Sequence, residues 1–397
     1  MSQLARQLKM VDTMPDAEDT WNNLGDSTVM QKYQAAAAFT NEALRLVLSS
    51  CKAGAMVSQL CKIGDDHILL QVSKVFVKGN VEKGIAFPTC ISVNNIVCNY
   101  SPLEADSSVL KVGDIVKVEL GAHVDGYAVT AGHTIVLTEN PMEPVTGRAA
   151  DVICAAYMAA EAAVRLVKVG AESSEVSRAV NSIAQSFGVS PVEGTSSHLM
   201  KRFLLEADQA IPNSFNPETN DFTFGENEVI SLNIVLSTGT GLSAQESSSH
   251  PTTLLQRDVN AAQGFKLKSS RAAFNAVTRT FGVFPFSARA LVDMDTAFRL
   301  GLPELIKSGV LVQRPVFTVE EEIEQGQDII VAQFKVTVAL LPGGQGTIRL
   351  SAPLNAPYVH STRNVDPDFE KLLKQDVKVA KAKAPLTSAG ANGMDLS

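Results

Sequence analysis

Residues 110–137, LKVGDIVKVELGAHVDGYAVTAGHTIVL, are the stretch of sequence that decides the fold. They contain two β-rich runs, Asp114–Gly121 and Tyr127–Leu137, which are joined through the His-Val-Asp-Gly sequence of residues 123–126. An Asp-Gly pair between two hydrophobic runs is a strong local signal for a tight turn between antiparallel strands. We therefore predict a β-hairpin here.

Helical and extended patterns alternate on both sides of this hairpin. Ser27 is the predicted N-cap of a helix that ends near Gly54, and Ala149–Val169 has the spacing of a second amphipathic helix. Further helices are predicted around Met56–Lys62 and after Ser173 or Ser174. Extended structure is predicted at residues 83–102, 226–239, 329–342 and 347–352. Two halves that each contain helices and β-hairpins indicate an α+β architecture with a faint internal repeat.

One segment differs in pattern from the rest of the chain. Residues 246–322 contain short helical patterns that begin at Ser and end at Gly, followed by a β-rich run, VLVQRPVFTV. This order indicates a winged-helix-like module inserted into a larger domain. We predict an N-terminal arm, a main domain in two pieces, the inserted module and a flexible, Lys-containing C-terminal tail, at residues 1–26, 27–245 with 323–362, 246–322 and 363–397 respectively.

Charge is distributed unevenly along the 397 residues, whose net charge is −8. Between Arg257 and Arg314 there are nine Lys and Arg against four Asp and Glu, a local balance of +5. Between Lys371 and Lys383 there are five Lys against one Asp, a balance of +4. Two basic patches on an acidic chain are typical of a polyanion-binding protein, although most such runs only solvate a surface.

The cysteines and the hydropathy pattern indicate a compartment. The five cysteines are odd in number and show no CxxC spacing, which favours reduced thiols over a disulfide framework or a zinc site. The N-terminal residues lack the pattern of a signal peptide, and no run of about 18 apolar residues predicts a membrane span. We therefore expect a cytoplasmic or nuclear protein that does not associate with membranes.

Several long motifs resemble one family in the same order. KGIAFPTCISVNNIVCNYSP (83–102) and the hairpin of 110–137 are similar to the first active-site segment of type II methionine aminopeptidases. They resemble still more the non-catalytic relatives of those enzymes, the proliferation-associated (ErbB-receptor-binding) proteins. The resemblance continues through residues 192–212, 226–241, 266–291 and 331–342. It covers roughly residues 28–360 and implies the pita-bread fold, in which two αβ halves surround a central pocket, with the inserted module of that branch.

The resemblance also identifies the positions of a former metal site. In the peptidases, two Asp, one His and two Glu hold a pair of divalent ions. These positions fall here on Glu119, Thr130, His198, Asn233 and Lys335.

The residue types at these positions do not suit a metal pair. Two divalent charges require several anionic oxygens, whereas Thr130 and Asn233 are neutral and Lys335 is cationic. We therefore expect no catalytic residues, no metal and no other cofactor, and we expect Lys335 to pair with Glu119. A substrate-contacting His of the peptidases falls on Asn99.

The same resemblance implies a function in binding. Proteins of this branch associate with the large ribosomal subunit near the nascent-chain exit, bind structured RNA and rRNA, and act in ribosome biogenesis, translation and growth control. It implies a monomer that is found in the cytoplasm, the nucleus and the nucleolus. We expect the following residues to contact RNA: Lys266, Lys268, Arg271, Arg279, Lys371, Lys374, Lys378, Lys381 and Lys383.

Two alternatives remain open at this point. One is a DNA-binding protein, or a receptor or transcription adaptor that uses the vacated peptide pocket. The other is a residual methionine aminopeptidase with an unusual site.

Overall fold

The computed structural model describes residues 22–77, 81–140, 142–218, 221–239, 243–261, 264–291, 296–319, 328–352 and 358–380. The α-helices are α1 (Ser27–Ser50), α2 (Val57–Ser73), α3 (Arg148–Leu166), α4 (Ser173–Ser186), α5 (Lys268–Thr280), α6 (Thr296–Lys307) and α7 (Pro367–Leu373). A short 3-10 helix spans Ala288–Leu291.

The first eight strands belong to the main domain and are β1 (Lys83–Val93), β2 (Ile96–Cys98), β3 (Ile115–Val124), β4 (Tyr127–Val136), β5 (Ser190–Pro191), β6 (Ser196–Met200), β7 (Ala210–Pro212) and β8 (Val229–Ser237). The others are β9 (Gln245–Glu246), β10 (Leu254–Arg257), β11 (Phe286–Ser287), β12 (Leu311–Arg314), β13 (Phe317–Thr318), β14 (Val331–Leu341), β15 (Gly346–Arg349) and β16 (Lys378–Val379).

The predicted hairpin lies in the middle of the main sheet. Within the described ranges this sheet has ten strands, with the order β1-β3-β4-β14-β8-β6-β7 and with β5, β15 and β16 added at its sides. Asp125 and Gly126 form the turn between β3 and β4, with φ of 56° and 80°. A two-residue turn of type I′ needs positive φ at both positions, which Asp tolerates and Gly favours. The predicted hairpin is confirmed, but its turn is shorter than expected because His123 and Val124 remain in β3.

The two halves of the fold meet where β4 pairs with β14. Gly132 is registered opposite Lys335 at this junction. A Cβ atom on Gly132 would lie 3.0 Å from the Cβ of Lys335, so a side chain here would push the strands apart. The glycine at position 132 of β4 therefore allows the two halves to approach each other closely.

Helices cover the sheet in two groups, which gives each half its own core. α1 packs on β3 and β4 and buries Tyr33, Phe39 and Leu44. α3 packs on β8 and β14, and α4 packs on α3, where Ile153 and Ile183 are buried. The predicted α+β architecture of two similar halves, the pita-bread fold, is confirmed. None of the helices in the described ranges is long and apolar enough to span a membrane.

Two helix boundaries differ from the prediction. The N-cap of α1 is Asp26, not Ser27, because the Asp26 carboxylate accepts a hydrogen bond from Thr28 N at 2.7 Å. α2 continues to Ser73, well beyond the predicted end at Lys62. Its Gly64 faces Thr89 of β1 so closely that a Cβ would lie 2.3 Å from Thr89 Oγ1. Gly64 thus permits tight packing of a longer helix.

The inserted module has its own sheet and core. Strands β11, β10 and β12 pair in that order, and α5 and α6 pack on each other. Ala273, Val277, Leu305 and Leu311 are buried between these elements. The predicted range 246–322 is wider than this unit, because it includes β13, which pairs with β2 of the main domain, and β9, which pairs with β13. The predicted boundary at 322 and 323 lies outside the described residues.

Buried arginines attach the module to the main domain. Arg289 donates to Asp65 of α2 at 2.8 Å, and also to Ser101 Oγ and Pro102 O, both at 2.9 Å. Asp65 in turn accepts a hydrogen bond from Thr89 N at 2.8 Å. Both charged groups are therefore satisfied at the junction of α2, β1 and the module.

The terminal segments are more ordered than predicted. Residues 363–380, the first part of the predicted flexible tail, contain α7 and strand β16, which pairs with β15. Phe369, Leu372 and Leu373 pack against the core under α3, because their i, i+3, i+4 spacing forms a short apolar face. At the other end, the last residues of the predicted arm reach the core through Leu24, while residues 1–21 and 381–397 lie outside the described residues.

We predict that Arg289→Ala lowers the free energy of unfolding by about 3 kcal/mol, because it leaves the Asp65 carboxylate buried without its partner. Denaturant titration of the full chain measures this loss. The matched control, Arg279→Ala, removes an exposed arginine of the same module and should change stability by less than about 0.5 kcal/mol. Equal effects of the two substitutions would show that Arg289 does not attach the module.

Candidate functional site

The fold brings the five former metal positions onto the central strands. Glu119 lies on β3, Thr130 on β4, His198 on β6, Asn233 on β8 and Lys335 on β14. These strands are neighbours in the sheet, and Asn233 is registered directly opposite Lys335. The five positions that the resemblance groups together therefore lie on neighbouring strands of the sheet.

Glu119 and Lys335 form an ion pair in the middle of the sheet. Lys335 Nζ lies 2.5 Å from Glu119 Oε1, and the side chains are 15% and 4% exposed respectively. The Lys335 ammonium group also lies 5.3 Å from the ring centroid of Phe87. The predicted pairing of these two residues is confirmed. Lys335 Nζ therefore pairs with the Glu119 oxygen that a metal ion would need as a ligand.

Gln333 completes this network and was not among the predicted site residues. Its Nε2 donates to Glu119 Oε2 at 3.1 Å and to Asn233 Oδ1 at 2.8 Å. Gln333 precedes Lys335 by two residues on β14, so the two side chains point to the same face of the sheet. The alternation of side chains along a strand, counted back by two residues from Lys335, is the signal that could have identified Gln333.

Thr130 belongs to a separate hydroxyl network. Its Oγ1 lies 2.9 Å from Ser231 Oγ, and its backbone N donates to Thr337 Oγ1 at 3.0 Å. Thr337 Oγ1 donates back to Thr130 O at 2.7 Å. These bonds join β4, β8 and β14 through uncharged groups. Thr130 therefore links neighbouring strands of the sheet and does not supply an anionic ligand.

His198 lies near a second ion pair, which the sequence reasoning missed. Burial lowers the pKa of His198 and the nearby Lys335 and Arg314 act in the same direction, while Glu206 opposes them. Glu206 pairs with Arg314 of the inserted module. Burial alone would raise the pKa of Glu206, but the Arg314 guanidinium holds it below the ordinary value. The imidazole is therefore neutral around pH 7.

Arg314 also forms part of the wall of the former pocket. Its guanidinium lies 6.0 Å from the ring centroid of Phe87, so the module covers one side of the site. Nothing in the sequence around Arg314 distinguished it from the other basic residues of the module.

Asn99 does not join the network of Glu119 and Lys335. It adopts φ of 66°, and its Nδ2 donates to Pro315 O at 2.8 Å. Asn99 therefore connects the end of β2 to the chain that returns from the module. This is a structural contact at the position where the peptidases have a substrate-contacting His.

The former pocket is nearly filled. The cavity lined by Phe87, Thr130, His198, Glu206 and Lys335, among others, has a volume of about 20 Å³. Such a space holds about one water molecule. In this conformation the cavity has no room for a peptide, and Lys335 and Glu206 are among the side chains that line it.

The residues present do not fit the metal pair that the fold family implies. Glu119 is engaged by Lys335 and Gln333, and Asn233 is neutral. Within the described ranges no group of three His, Cys, Asp or Glu could hold a metal ion.

The basic residues predicted to bind RNA lie on two separate units. Lys268, Arg271 and Arg279 project from α5, and all three are exposed. Lys266, just before α5, is also exposed, and its backbone N donates to Glu304 of α6 at 3.0 Å.

The basic residues of the predicted tail are elsewhere. Lys371 lies on α7, Lys374 follows that helix and Lys378 is in β16, while α7 packs on α3 of the main domain. Lys371 is partly offset by Asp368, 3.2 Å away. The two remaining predicted contacts, Lys381 and Lys383, lie outside the described residues.

We predict that Lys335→Met lowers the free energy of unfolding by about 3 kcal/mol, because it leaves the Glu119 carboxylate buried without a countercharge. The double variant Glu119→Gln, Lys335→Met should recover most of this loss, since both charges are then removed. A double-mutant cycle by denaturant titration measures the coupling. Additive losses would contradict the pairing, and Lys371→Met on exposed α7 is the control for removal of a lysine.

Comparisons with known proteins place the chain in a family. The sequence profile of metallopeptidase family M24 matches residues 31–249. The chain is 38% identical over 370 residues to ERBB-3 binding protein 1 of Solanum tuberosum, with 92% of each protein covered. It is 34% identical over 369 residues to a curved DNA-binding protein of Schizosaccharomyces pombe, with 91% of this chain and 93% of that protein covered.

A solved structure supports the same assignment. The structure of a thermophilic Arx1 matches with a TM-score of 0.78 and 25% identity, covering 89% of this chain and 99% of that one. The M24 profile covers more than half of the chain, and the relatives cover nine-tenths of it. The chain therefore belongs to metallopeptidase family M24 and, within it, to the branch of the ErbB-3-binding and proliferation-associated proteins.

Proposed function

We propose that this chain is a non-catalytic member of its family that binds structured RNA on the large ribosomal subunit near the nascent-chain exit. In this role it acts in ribosome biogenesis, translation and growth control, as a monomer, in the cytoplasm and in the nucleus and nucleolus. The ribosomal part of the proposal rests on the family resemblance of the sequence motifs. The observation in the structure that carries the RNA-binding part is the basic outer face of α5.

The outer face of α5 presents its cations together. Lys268, Arg271 and Arg279, with Asn275 between them, fall within about 100° of the helix circumference at 3.6 residues per turn. The buried residues of α5, such as Ala273 and Val277, lie on the opposite side.

The geometry of this face suits a nucleic-acid backbone. From the first to the last of the three cations the helix rises about 16 Å, enough to follow several phosphates. The helix itself contains no acidic residue that would offset them. A row of exposed cations on one rigid helix supports phosphate binding, with affinity that depends on salt.

A second polyanion is favoured by one of the relatives. The protein of S. pombe is named as a curved DNA-binding protein, and a row of cations alone does not distinguish RNA from DNA phosphates. Duplex DNA therefore belongs in the same experiments as a competing ligand. We place RNA first because the family resemblance favours it.

Charge reversal on α5 tests the proposal. The triple variant Lys268→Glu, Arg271→Glu, Arg279→Glu should bind a labelled RNA hairpin at least about tenfold more weakly at 100 mM salt. It should also reduce the slope of log K against log salt by roughly 2 to 3 units, since about three phosphate contacts are lost. Fluorescence anisotropy measures both quantities, and co-sedimentation with ribosomes at low salt gives a second readout.

The control variant carries the same change in charge at sites outside the inserted module. Lys52, Lys74 and Lys168 are exposed, and their replacement by Glu should leave RNA binding within about twofold of the wild type. The variant Lys371→Glu, Lys374→Glu, Lys378→Glu compares the contribution of the α7 unit. Unchanged ribosome pelleting of the α5 variant would refute the proposal, and preferential loss of duplex DNA binding would favour the DNA alternative.

The absence of catalysis is also part of the proposal. It is supported by the Glu119–Lys335 pair, which places a cation where the peptidases keep a metal ligand. We predict that the purified chain does not cleave methionyl peptides when cobalt or manganese is added. A continuous peptidase assay together with elemental analysis measures this. More than one tightly bound metal ion per chain, or turnover that is lost in His198→Ala, would show that the residual aminopeptidase is the correct interpretation.

A further inference from the structure

A second and much larger concavity lies between the main domain and the inserted module. We call it the lateral groove. Its volume is about 770 Å³, within the range of ligand-binding clefts. The walls are formed by residues 199–204 and 207–209 of the main domain, by 226–228 just before β8, and by 256–260, 283 and 312 of the module, with Asn22 at one end. Met200 separates it from the filled former pocket, since this side chain lines both.

The lateral groove exposes large apolar side chains on both of its walls. Leu204 of the main domain is 43% exposed, and Val259 and Val312 of the module are 42% and 47% exposed. Phe203 and Val283 add further apolar surface between them. Apolar side chains that face each other across a cleft are typical of a surface that is covered by a binding partner.

Two of the cations that line the lateral groove are engaged with groups that do not line it. Arg202 donates to Asp125 Oδ1 at 2.6 Å, and Arg257 Nε donates to Gly282 O at 3.0 Å. Lys201 is the other lining cation, and its charge acts on Glu228, whose pKa is raised by burial.

The carboxylates that line the lateral groove are Asp208, Glu226, Glu228 and Asp258. Glu226 Oε1 accepts a hydrogen bond from Gly343 N at 3.0 Å, and Asp258 Oδ1 accepts one from Asn260 N at 2.8 Å, in both cases from an uncharged backbone group. Glu228 Oε2 is buried and has no hydrogen-bond partner within the described ranges. A buried carboxylate oxygen without a donor carries a desolvation cost that a donating cation would relieve. The groove is therefore electrostatically suited to a positively charged group.

We propose that the lateral groove is a docking site for a short peptide segment of a partner protein, in which apolar side chains stand beside Lys or Arg. The apolar walls would bury the hydrophobic side chains, and the carboxylates would accept hydrogen bonds from the basic group. Four carboxylates against three cations in the lining disfavour a nucleic acid on this surface. The docking site is separate from the basic face of α5, so it does not depend on the RNA-binding proposal.

Two pools of labelled, acetylated hexapeptides test this inference on the full chain. The basic pool carries Leu, Val, Met or Phe at four positions and Lys or Arg at two, and the acidic pool has Glu at those two positions. Fluorescence anisotropy should show at least tenfold tighter binding of the basic pool. The variant Glu228→Gln, Asp258→Asn should lose at least tenfold of that affinity, and so should Leu204→Asp.

Matched controls separate the docking site from general effects of charge or folding. Glu104→Gln and Leu70→Asp alter exposed residues far from the groove in sequence and should leave binding unchanged. The charge-reversed α5 variant should keep its peptide binding, so that failure here and failure of RNA binding are distinguishable. Circular dichroism melting checks that each variant is folded.

Three outcomes would overturn the inference. They are equal binding of the two pools, unchanged binding in the groove variants, and tighter binding of the basic pool when Arg6 and Lys9 are both replaced by Glu. The last result would show that this chain's own N-terminal segment, and not a partner, competes for the groove.

Discussion

The ion pair between Glu119 and Lys335 is the interaction on which the centre of this molecule depends. Two charges removed from water are stabilising only when they are close together and their remaining hydrogen-bonding capacity is satisfied. Here the amine meets one carboxylate oxygen, and Gln333 donates to the other. Lys335 also stands opposite Gly132, at the junction of the two halves. One residue thus supplies both the countercharge and the contact surface between β4 and β14.

The inserted module contacts this centre and covers one side of it. Arg314 reaches from the module to Glu206 and lies near Phe87, which is also near Lys335. Arg289 anchors the other side of the module on Asp65. A module held at two such points presents α5 and the lateral groove in a fixed orientation. The two proposed binding surfaces thus differ in electrostatic character, since α5 presents a row of cations and carboxylates line the lateral groove.

The local structure could be predicted well wherever short-range chemistry decides it. The Asp125-Gly126 turn, the helix after Asp26 and the strand that carries Lys335 follow from turn residues, a cap and periodicity. The helix α7 was missed because its apolar face consists only of Phe369, Leu372 and Leu373 in a segment rich in lysine.

The sequence alone could not show which cations of the module face solvent and which are engaged by other groups. Arg257, Arg289 and Arg314 contributed to the local balance of +5, but each is engaged with backbone or carboxylate groups where the module meets the main domain. Of the other cations, Lys268, Arg271 and Arg279 are exposed on α5, and Lys266 and Lys307 are exposed elsewhere in the module. A count of charges cannot separate these roles, since an arginine that pairs across 200 residues of sequence looks the same as one that faces solvent.

The Glu119–Lys335 pair was predictable because the resemblance already placed both residues in one pocket. In the peptidases of this fold, four carboxylates balance two divalent cations. Here Glu119 balances Lys335, and Thr130 and Asn233 are neutral. The net charge is therefore close to zero both in the pocket of the peptidases and in the corresponding pocket of this chain. Losing the metals while keeping the carboxylates would leave buried negative charge in the middle of the sheet, at a cost of several kcal/mol per ion. If the resemblance assigns these positions correctly, Thr130, Asn233 and Lys335 are physically connected, because each removes or offsets a negative charge that metal ions would balance in the peptidases.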